Sequence, residues 1–145
     1  MEESLEYLAD SIKNLLPVKA DIRTYSPLTL AYIGDAVYDL IIRTLVVSEG
    51  NCKPQKLHSK ATRYVKAKAQ AKAIDALMET LDEEELAVYK RGHNSKPNTI
   101  AKNAGLEEYL KATGFEALLG YLYLCDNYER LFEIVAESIN IIDNR

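Results

Sequence analysis

Two acidic residues lie in apolar segments of the chain, where ionised groups are unusual. Asp35 lies in the segment LAYIGDAV at residues 30–37, and Glu116 lies in GFEALLGY at residues 114–121. An ionised carboxylate in apolar surroundings costs free energy unless it is paired, hydrogen-bonded or bound to a metal ion. Acids on two core helices could together hold Mg²⁺, which binds through one or two carboxylates, waters and substrate phosphate. Asp35 and Glu116 are therefore candidate metal ligands, and two acids in a helical protein need further context before the site can be assigned.

The two acids differ in the partners that the local sequence offers them. Asp39 is expected to pair with Arg43 one helical turn later, whereas Asp35 has no base three or four positions away. The charge of Asp35 therefore needs a partner from another part of the fold. Glu116 has a structural alternative, because Thr113-x-x-Glu116 has the pattern of a capping box at a helix start.

Basic residues are concentrated in two stretches that contain no acid. Residues 51–74 contain seven bases and residues 86–106 contain four, so the rest of the chain carries a formal charge of −15 against −4 overall. Such asymmetry indicates a polyanion site on an acidic body. The alternatives are a solvated helix face and a merely polar turn. The candidate phosphate-binding residues are Lys56, Lys60, Arg63, Lys66, Arg91, His93, Asn94, Lys96 and Lys102.

Helical periodicity predicts the elements that must position these residues. The pattern indicates one all-α domain of six or seven helices, with the four prolines between the helical segments. Residues 28–47 are apolar nearly all round, which is typical of a central, buried helix. Gly92 is expected to cap a helix, and residues 93–102 are expected to form a loop. The predicted helices span residues 3–16, 27–47, 54–78, 82–91, 113–126 and 128–142.

Composition limits the class of protein. A chain of 145 residues with 48% apolar and 28% charged residues is typical of a single soluble globular domain. The most apolar stretch, residues 28–47, carries three charges, and each would cost about 2.5–3.5 kcal/mol near the centre of a membrane. Cys52 and Cys125 belong to no zinc-binding pattern. We therefore expect a cytoplasmic protein in a reducing compartment, with no membrane span.

Several segments together resemble the ribonuclease III family. Residues 30–37 resemble the signature helix of its catalytic domain, and residues 115–124, FEALLGYLYL, resemble its second acidic helix, in the same order and about 80 residues apart. The likeness extends from about residue 20 to residue 140. Three further segments resemble the short bacterial branch called Mini-III: KPxxLH at 53–58, RxVxAKAQA at 63–71 and KRGxN at 90–94.

The resemblance implies a ribonuclease III-like helical fold over residues 1–145, without the usual double-stranded-RNA-binding domain. It implies a Mg²⁺-dependent endoribonuclease that cuts double-stranded RNA and leaves 5′-phosphate and 3′-hydroxyl ends. Asp35 and Glu116 would be the catalytic residues and would hold the Mg²⁺, and the basic residues given above would contact the RNA.

Partners also follow from the resemblance. It implies a homodimer packed through the helix of residues 28–47, with one site in each protomer, and Gly34 with its small neighbours suits close helix approach there. The Mini-III branch is associated with trimming the 23S ribosomal RNA precursor, which is the expected substrate. A large-subunit ribosomal protein is an expected further partner.

Two positions depart from the larger enzymes of the family. Those enzymes carry a Glu four positions before the signature Asp and an Asp three positions before the second Glu, where this chain has Ala31 and Thr113. The Mini-III branch shares both replacements, and a site with half the carboxylates is expected to depend more on RNA phosphate as a ligand. Two alternatives remain open: a ribonuclease III-like domain that binds RNA without cutting it, and a helical interaction module whose basic patch meets an acidic protein.

Overall fold

The chain folds into a bundle of helices around two central ones. The structure, a computed structural model, describes residues 2–15, 20–95 and 105–144, with side chains from residue 6. Over these residues it contains seven α-helices, two short 3₁₀ turns and no strand. The helices are α1 (Glu2–Lys13), α2 (Pro27–Ser48), α3 (Pro54–Val65), α4 (Ala67–Leu77), α5 (Glu83–His93), α6 (Leu106–Leu124) and α7 (Tyr128–Ile142). The predicted all-α class is confirmed.

The core lies where α2 and α6 pack against each other and against the surrounding helices. Tyr38 of α2 and Phe115 of α6 are buried and meet edge to face, with ring centroids 5.3 Å apart. Such aromatic pairs stabilise a fold beyond the area that they bury. The remaining large buried side chains of this core include Ile42, Ile74, Leu118, Leu119, Leu122, Leu131 and Ile134.

Local signals in the sequence account for two helix starts. The Ser26 side chain accepts a hydrogen bond from the Thr29 amide, and Pro27 occupies the first turn of α2, as the pattern of cap and proline predicted. Asp82 and Glu85 form a complete capping box at the start of α5. No described helix combines the length and the apolar character that crossing a bilayer requires.

The predicted long helix of residues 54–78 is wrong in one respect, because it is two helices. Lys66 has an extended backbone (φ −65°, ψ 150°) and separates α3 from α4. No proline or glycine lies within residues 55–80 to indicate this break. At the break, the buried Gln70 side chain donates a hydrogen bond through Nε2 to the Val65 carbonyl oxygen at 2.9 Å, so this carbonyl has a partner outside the helix ladder.

The helix predicted from Thr113 starts seven residues earlier, at Leu106. Thr113 is therefore inside α6, where its hydroxyl donates to the Tyr109 carbonyl oxygen. Gly92 is not a cap either: it lies within α5, and a methyl group there would come within 2.8 Å of the Gly114 Cα atom. Its smallness allows α5 to approach α6 closely. Of the predicted loop, residues 96–102 lie outside the described residues.

Candidate active site

Two glycines set the distance between α2 and α6. A Cβ atom at Gly34 would overlap the Glu116 carbonyl oxygen and lie 2.8 Å from the Gly120 amide nitrogen. A Cβ atom at Gly120 would overlap the Leu30 carbonyl oxygen. The two helix backbones are thus in direct contact, which side chains larger than hydrogen would prevent. The close approach attributed to Gly34 at a dimer interface is therefore made within one chain, against α6.

This crossing brings Asp35 and Glu116 together, and we refer to them as the acid pair. Burial raises the pKa of Glu116 to about 8. The charge of Asp35 and a hydrogen bond between the two carboxyl groups act in the same direction. Two carboxylates this close repel each other, so the neutral form of one is favoured unless a cation lies between them.

The burial expected for Asp35 is wrong for the protomer, since Asp35 is exposed while Glu116 is only partly so. The reason is that α2 buries one face rather than its whole circumference. Gly34 and Tyr38 face the core, whereas Tyr32 is 83% exposed. Asp35 therefore remains accessible to water, metal ions and a polyanionic substrate. The expected pair of Asp39 with Arg43 is confirmed, at 2.9 Å.

The structural alternative for Glu116 is contradicted by its position in the middle of α6. A capping box needs Glu at the third position of a helix, and α6 begins at Leu106. The Glu116 side chain instead accepts a hydrogen bond from Gln70 Nε2, with 3.3 Å between Nε2 and Oε2. This hydrogen bond favours the ionised form and opposes the rise in the pKa of Glu116.

Sequence reasoning missed Gln70, which is 1% exposed and lies on α4. Its residue type alone, in the alanine-rich segment AKAQA, does not indicate contact with the acid pair. The helical period could have identified it as a buried residue. Gln70 lies on the buried side of α4 together with Ala73 and Ile74, where a polar residue requires a partner.

The two positions where larger enzymes carry extra acids bring no charge to the site. Ala31 and Thr113 are both 7% exposed. Ala31 packs with Val88 and Ala117 in a small apolar cluster. Within the part of the chain that the structure describes, no group of three or more His, Cys, Asp or Glu side chains could hold a metal ion. The candidate site therefore has two carboxylates.

The basic residues of α3 lie on the surface, and some already have acidic partners. Lys60 pairs with Glu49 at 3.5 Å, and Arg63 pairs with Asp143 at 3.0 Å. Lys56 is exposed, as is Lys66 at the break between α3 and α4. We refer to Lys56, Lys60 and Arg63 as the basic face of α3. Acids of the same chain thus partly neutralise this face.

The second set of candidate phosphate ligands lies at the end of α5. Arg91 is exposed, and the His93 ring bonds Glu107 of α6 through Nε2 at 2.7 Å and Asn94 Oδ1 through Nδ1 at 3.0 Å. The hydrogen bond to Glu107 raises the pKa of His93. The same hydrogen bond connects the end of α5 to the start of α6. Lys96 and Lys102 lie outside the described residues.

Comparison with known proteins agrees with this geometry. Residues 28–127 match the family model described as the ribonuclease III domain. The chain is 48% identical over 126 residues to a Mini-ribonuclease 3 of Clostridium tetani, covering 86% of this chain and 83% of that one. It is 44% identical over 143 residues to a Mini-ribonuclease 3 of a Thermoanaerobacter species, covering 99% of both chains.

A solved structure gives the same result for the fold. An X-ray crystal structure of a Fusobacterium nucleatum protein superimposes with a TM-score of 0.75 at 34% identity, covering 84% of this chain and 98% of that one. The match to the family model includes all of α6 and all of α2 except its first residue, and these two helices carry the acid pair. The chain therefore belongs to the ribonuclease III family, in its Mini-ribonuclease 3 branch.

Proposed function

We propose that this protein hydrolyses phosphodiester bonds of double-stranded RNA at a site where Asp35 and Glu116 hold Mg²⁺. As a member of its family, the chain is an endoribonuclease for double-stranded RNA, and the family is generally dependent on a divalent metal ion. The observation that carries the proposed site is the glycine crossing of α2 and α6, which brings two carboxyl groups into contact at an accessible position.

The residues present suit a hard divalent cation. Carboxylate oxygens are the ligands that Mg²⁺ prefers, and it commonly takes only one or two of them from the protein. Burial and the neighbouring Asp35 charge raise the pKa of Glu116 to about 8, and a divalent cation between the two groups would remove that repulsion. The exposure of Asp35 leaves room for water and RNA phosphate to complete the coordination.

Each side chain then has a defined part in the reaction. Asp35 and Glu116 would hold the metal ion at the protein surface. The chemistry that the ion would supply there is activation of water and stabilisation of charge on the scissile phosphate. Gln70 holds Oε2 of Glu116 from the interior. The products are a 5′-phosphate and a 3′-hydroxyl end.

Incubation with duplex RNA, with and without Mg²⁺, tests this function against its two alternatives. The proposal predicts cleavage only with Mg²⁺, whereas an RNA-binding protein without activity would retain the duplex uncut. A helical interaction module would neither bind nor cut it. Either of the last two results contradicts the proposal.

For RNA binding we propose the basic face of α3 together with Lys66, Arg91, His93, Asn94, Lys96 and Lys102. Duplex RNA is recognised mainly by its shape and through phosphate and 2′-hydroxyl contacts, so cations without base-specific geometry suffice. The support is the location of eleven of the eighteen bases in two acid-free stretches. Affinity should therefore fall with salt concentration and depend little on RNA sequence.

For the natural substrate we propose the 23S ribosomal RNA precursor in the cytoplasm, with a large-subunit ribosomal protein as a further partner. The support is the similarity over the full length to proteins named Mini-ribonuclease 3. The test compares cleavage of that precursor duplex with cleavage of an unrelated duplex of equal length. Equal rates and scattered cuts on both would contradict this substrate.

We also propose that the protein is a homodimer that packs through α2. Proteins of this family are typically dimers, and the outer face of α2 carries exposed apolar residues, among them Tyr32 (83% exposed) and Leu40 (59% exposed). Exposed apolar patches of this kind mark interaction surfaces. Sedimentation should give twice the 16.3 kDa of one chain. Tyr32→Glu with Leu40→Glu should give monomers, and a monomeric wild-type protein would overturn the proposal.

A further inference from the structure

Gln70 is a fully buried polar side chain that touches the acid pair, and its amide makes two contacts. Nε2 donates to the Val65 carbonyl oxygen at 2.9 Å and to Glu116 Oε2 at 3.3 Å. Both neighbours are hydrogen-bond acceptors when Glu116 is ionised, so the amide must present its NH₂ group to them. The side chain thereby connects the break between α3 and α4 to the middle of α6.

The other end of the same amide has no partner. Among the described residues, Gln70 Oε1 is the buried side-chain polar atom that lacks a hydrogen bond. A buried acceptor without a partner costs free energy, which offsets part of the stability that the two hydrogen bonds of Nε2 provide. Stability of the fold is therefore only part of what a glutamine provides at this position.

We propose that Gln70 is a positioning residue for the metal site: its Nε2 holds Glu116 Oε2 and fixes the carboxylate in the orientation that receives the cation. This inference rests on the proposed function of the acid pair. Glu116 projects from a helix whose backbone is fixed by the glycine crossing, but its side chain has three rotatable bonds. Gln70 is itself fixed by the Val65 carbonyl, so it can restrict those rotations.

The position of Gln70 relative to solvent supports this assignment. Asp35 is exposed and approaches Glu116 from the surface, whereas Gln70 is 1% exposed and approaches it from the interior. Glu116 thus lies between an acid that raises its pKa and an amide that opposes the rise. Partners in the second layer around metal ligands orient those ligands, and removing them typically lowers metal affinity or activity about 10- to 100-fold.

The test is Gln70→Met, with Gln70→Leu as a second apolar variant and Ser138→Ala as the matched control. Ser138 is also fully buried and hydrogen-bonded, through Oγ to the Ile134 carbonyl oxygen, but it lies on α7. For each protein, the unfolding midpoint is measured without metal. Mg²⁺ affinity is then measured by titration with MgCl₂ alone, followed by the NMR signals of the backbone amides around residue 116. Cleavage of duplex RNA is measured over a range of Mg²⁺ concentrations.

We expect Gln70→Met to fold but to unfold at a somewhat lower denaturant concentration, because the Val65 carbonyl oxygen loses its donor, and to bind Mg²⁺ about 10- to 100-fold more weakly. Excess Mg²⁺ should restore much of its cleavage rate, and Ser138→Ala should bind Mg²⁺ as the wild type does. Wild-type Mg²⁺ affinity in the folded apolar variants, or failure of both variants to fold, would show a structural role and overturn the inference.

Asp35→Asn in the same titration separates this inference from the function on which it rests. If Asp35→Asn abolishes Mg²⁺ binding while Gln70→Met binds normally, the metal site stands and the role of Gln70 is wrong. If Asp35→Asn binds Mg²⁺ as well as the wild type, the proposed site and the role of Gln70 are both wrong.

Discussion

The acid pair and the basic face of α3 carry opposite charges and are determined by the fold to very different degrees. Asp35 and Glu116 are placed by backbone contact between α2 and α6, through glycines that tolerate no side chain. The basic face consists of long, exposed side chains, of which Lys60 and Arg63 already have acidic partners in the same chain. Catalytic groups need a fixed geometry, whereas phosphate contacts can be distributed and individually weak.

This difference leads us to expect unequal responses to mutation. A change at the glycine crossing or the acid pair should affect catalysis sharply, because few atoms determine the geometry. A change on the basic face should be gradual, because several cations share the contact with RNA. The effect of mutation should therefore decrease from the acid pair, through the glycine crossing, to the basic face.

Asp35→Asn should lower the rate of duplex cleavage by at least about 10³-fold, since metal-assisted charge stabilisation contributes several kcal/mol and each 1.36 kcal/mol is a factor of ten. The fold should remain intact, and the metal-free variant should be as stable as the wild type or more stable, because repulsion with Glu116 is removed. Single-turnover cleavage and denaturant unfolding measure the two quantities. Cleavage at the native rate would show that the acid pair does not hold the metal ion.

Gly34→Ala should lower stability by about 1–3 kcal/mol, the usual cost of forcing an extra methyl group into a packed region. At an open helix position, the same change would stabilise by about 1 kcal/mol. Separating α2 from α6 should also reduce cleavage, since a displacement of about 1 Å can cost about 10²-fold. Thermal unfolding and cleavage kinetics measure these effects.

Gly92→Ala is the matched control for the glycine crossing. A methyl group there would come within 2.9 Å of Ala117 Cβ, on the α5 side of α6 and away from the acid pair. We expect a similar loss of stability with a smaller loss of cleavage. Equal losses of cleavage in Gly34→Ala and Gly92→Ala would mean that general packing, rather than the crossing, sets the activity.

The metal-free protein should become less stable as pH rises from the ordinary range of a glutamate, near 4.5, to about 8, the pKa of folded Glu116. The folded state binds more protons than the unfolded state over this interval, so the slope of unfolding free energy against pH is negative. His93, whose pKa is also raised, contributes in the same direction. Glu116→Gln retains His93, so the difference between the two proteins, measured by denaturation in chelator, isolates Glu116. Identical pH profiles would contradict the shifted pKa.

The basic face should give the smallest effect. Alanine at both Lys60 and Arg63 should reduce the slope of log affinity against log salt by roughly 0.9 for each phosphate that the protein no longer neutralises, on the calibration for B-form DNA. The reduction should be similar for different RNA sequences. Arg23→Ala is the control, because Arg23 is an exposed cation outside this face, paired with Asp21. An unchanged slope in the double variant would show that the basic face is only a solvated helix surface and does not bind RNA.

The sequence predicted the acid pair better than it predicted the surroundings of that pair. Carboxylates in two apolar helical segments were a weak signal by themselves, and the resemblance to the ribonuclease III family supplied the reason to pair Asp35 with Glu116. The face of α2 was predicted less well, since a helix rich in apolar residues gave no sign that Asp35 would be exposed in the protomer. The contacts of Gly34 and Tyr38 with α6 show which side is buried.

The errors in the helix boundaries lie where a local pattern was incomplete. At Lys66 a hydrogen bond from the Gln70 side chain satisfies the Val65 carbonyl oxygen at the break, and no proline or glycine indicates it. The early start of α6 makes the apparent cap at Thr113 an interior position. The capping box at Asp82, which is local in both sequence and structure, was predicted correctly.

The most direct test of the proposed site is cleavage of end-labelled duplex RNA by the wild type, Glu116→Gln and Glu137→Gln over a range of Mg²⁺ concentrations. Gln preserves the shape of Glu116 but removes the charge that a cation needs, and Glu137 is an exposed acid on α7 that serves as the control. We expect wild type and Glu137→Gln to cut only with Mg²⁺, leaving 5′-phosphates, and Glu116→Gln to give no product at any Mg²⁺ concentration. Cleavage by Glu116→Gln at the wild-type rate, with the same Mg²⁺ dependence, would contradict the metal site that we propose.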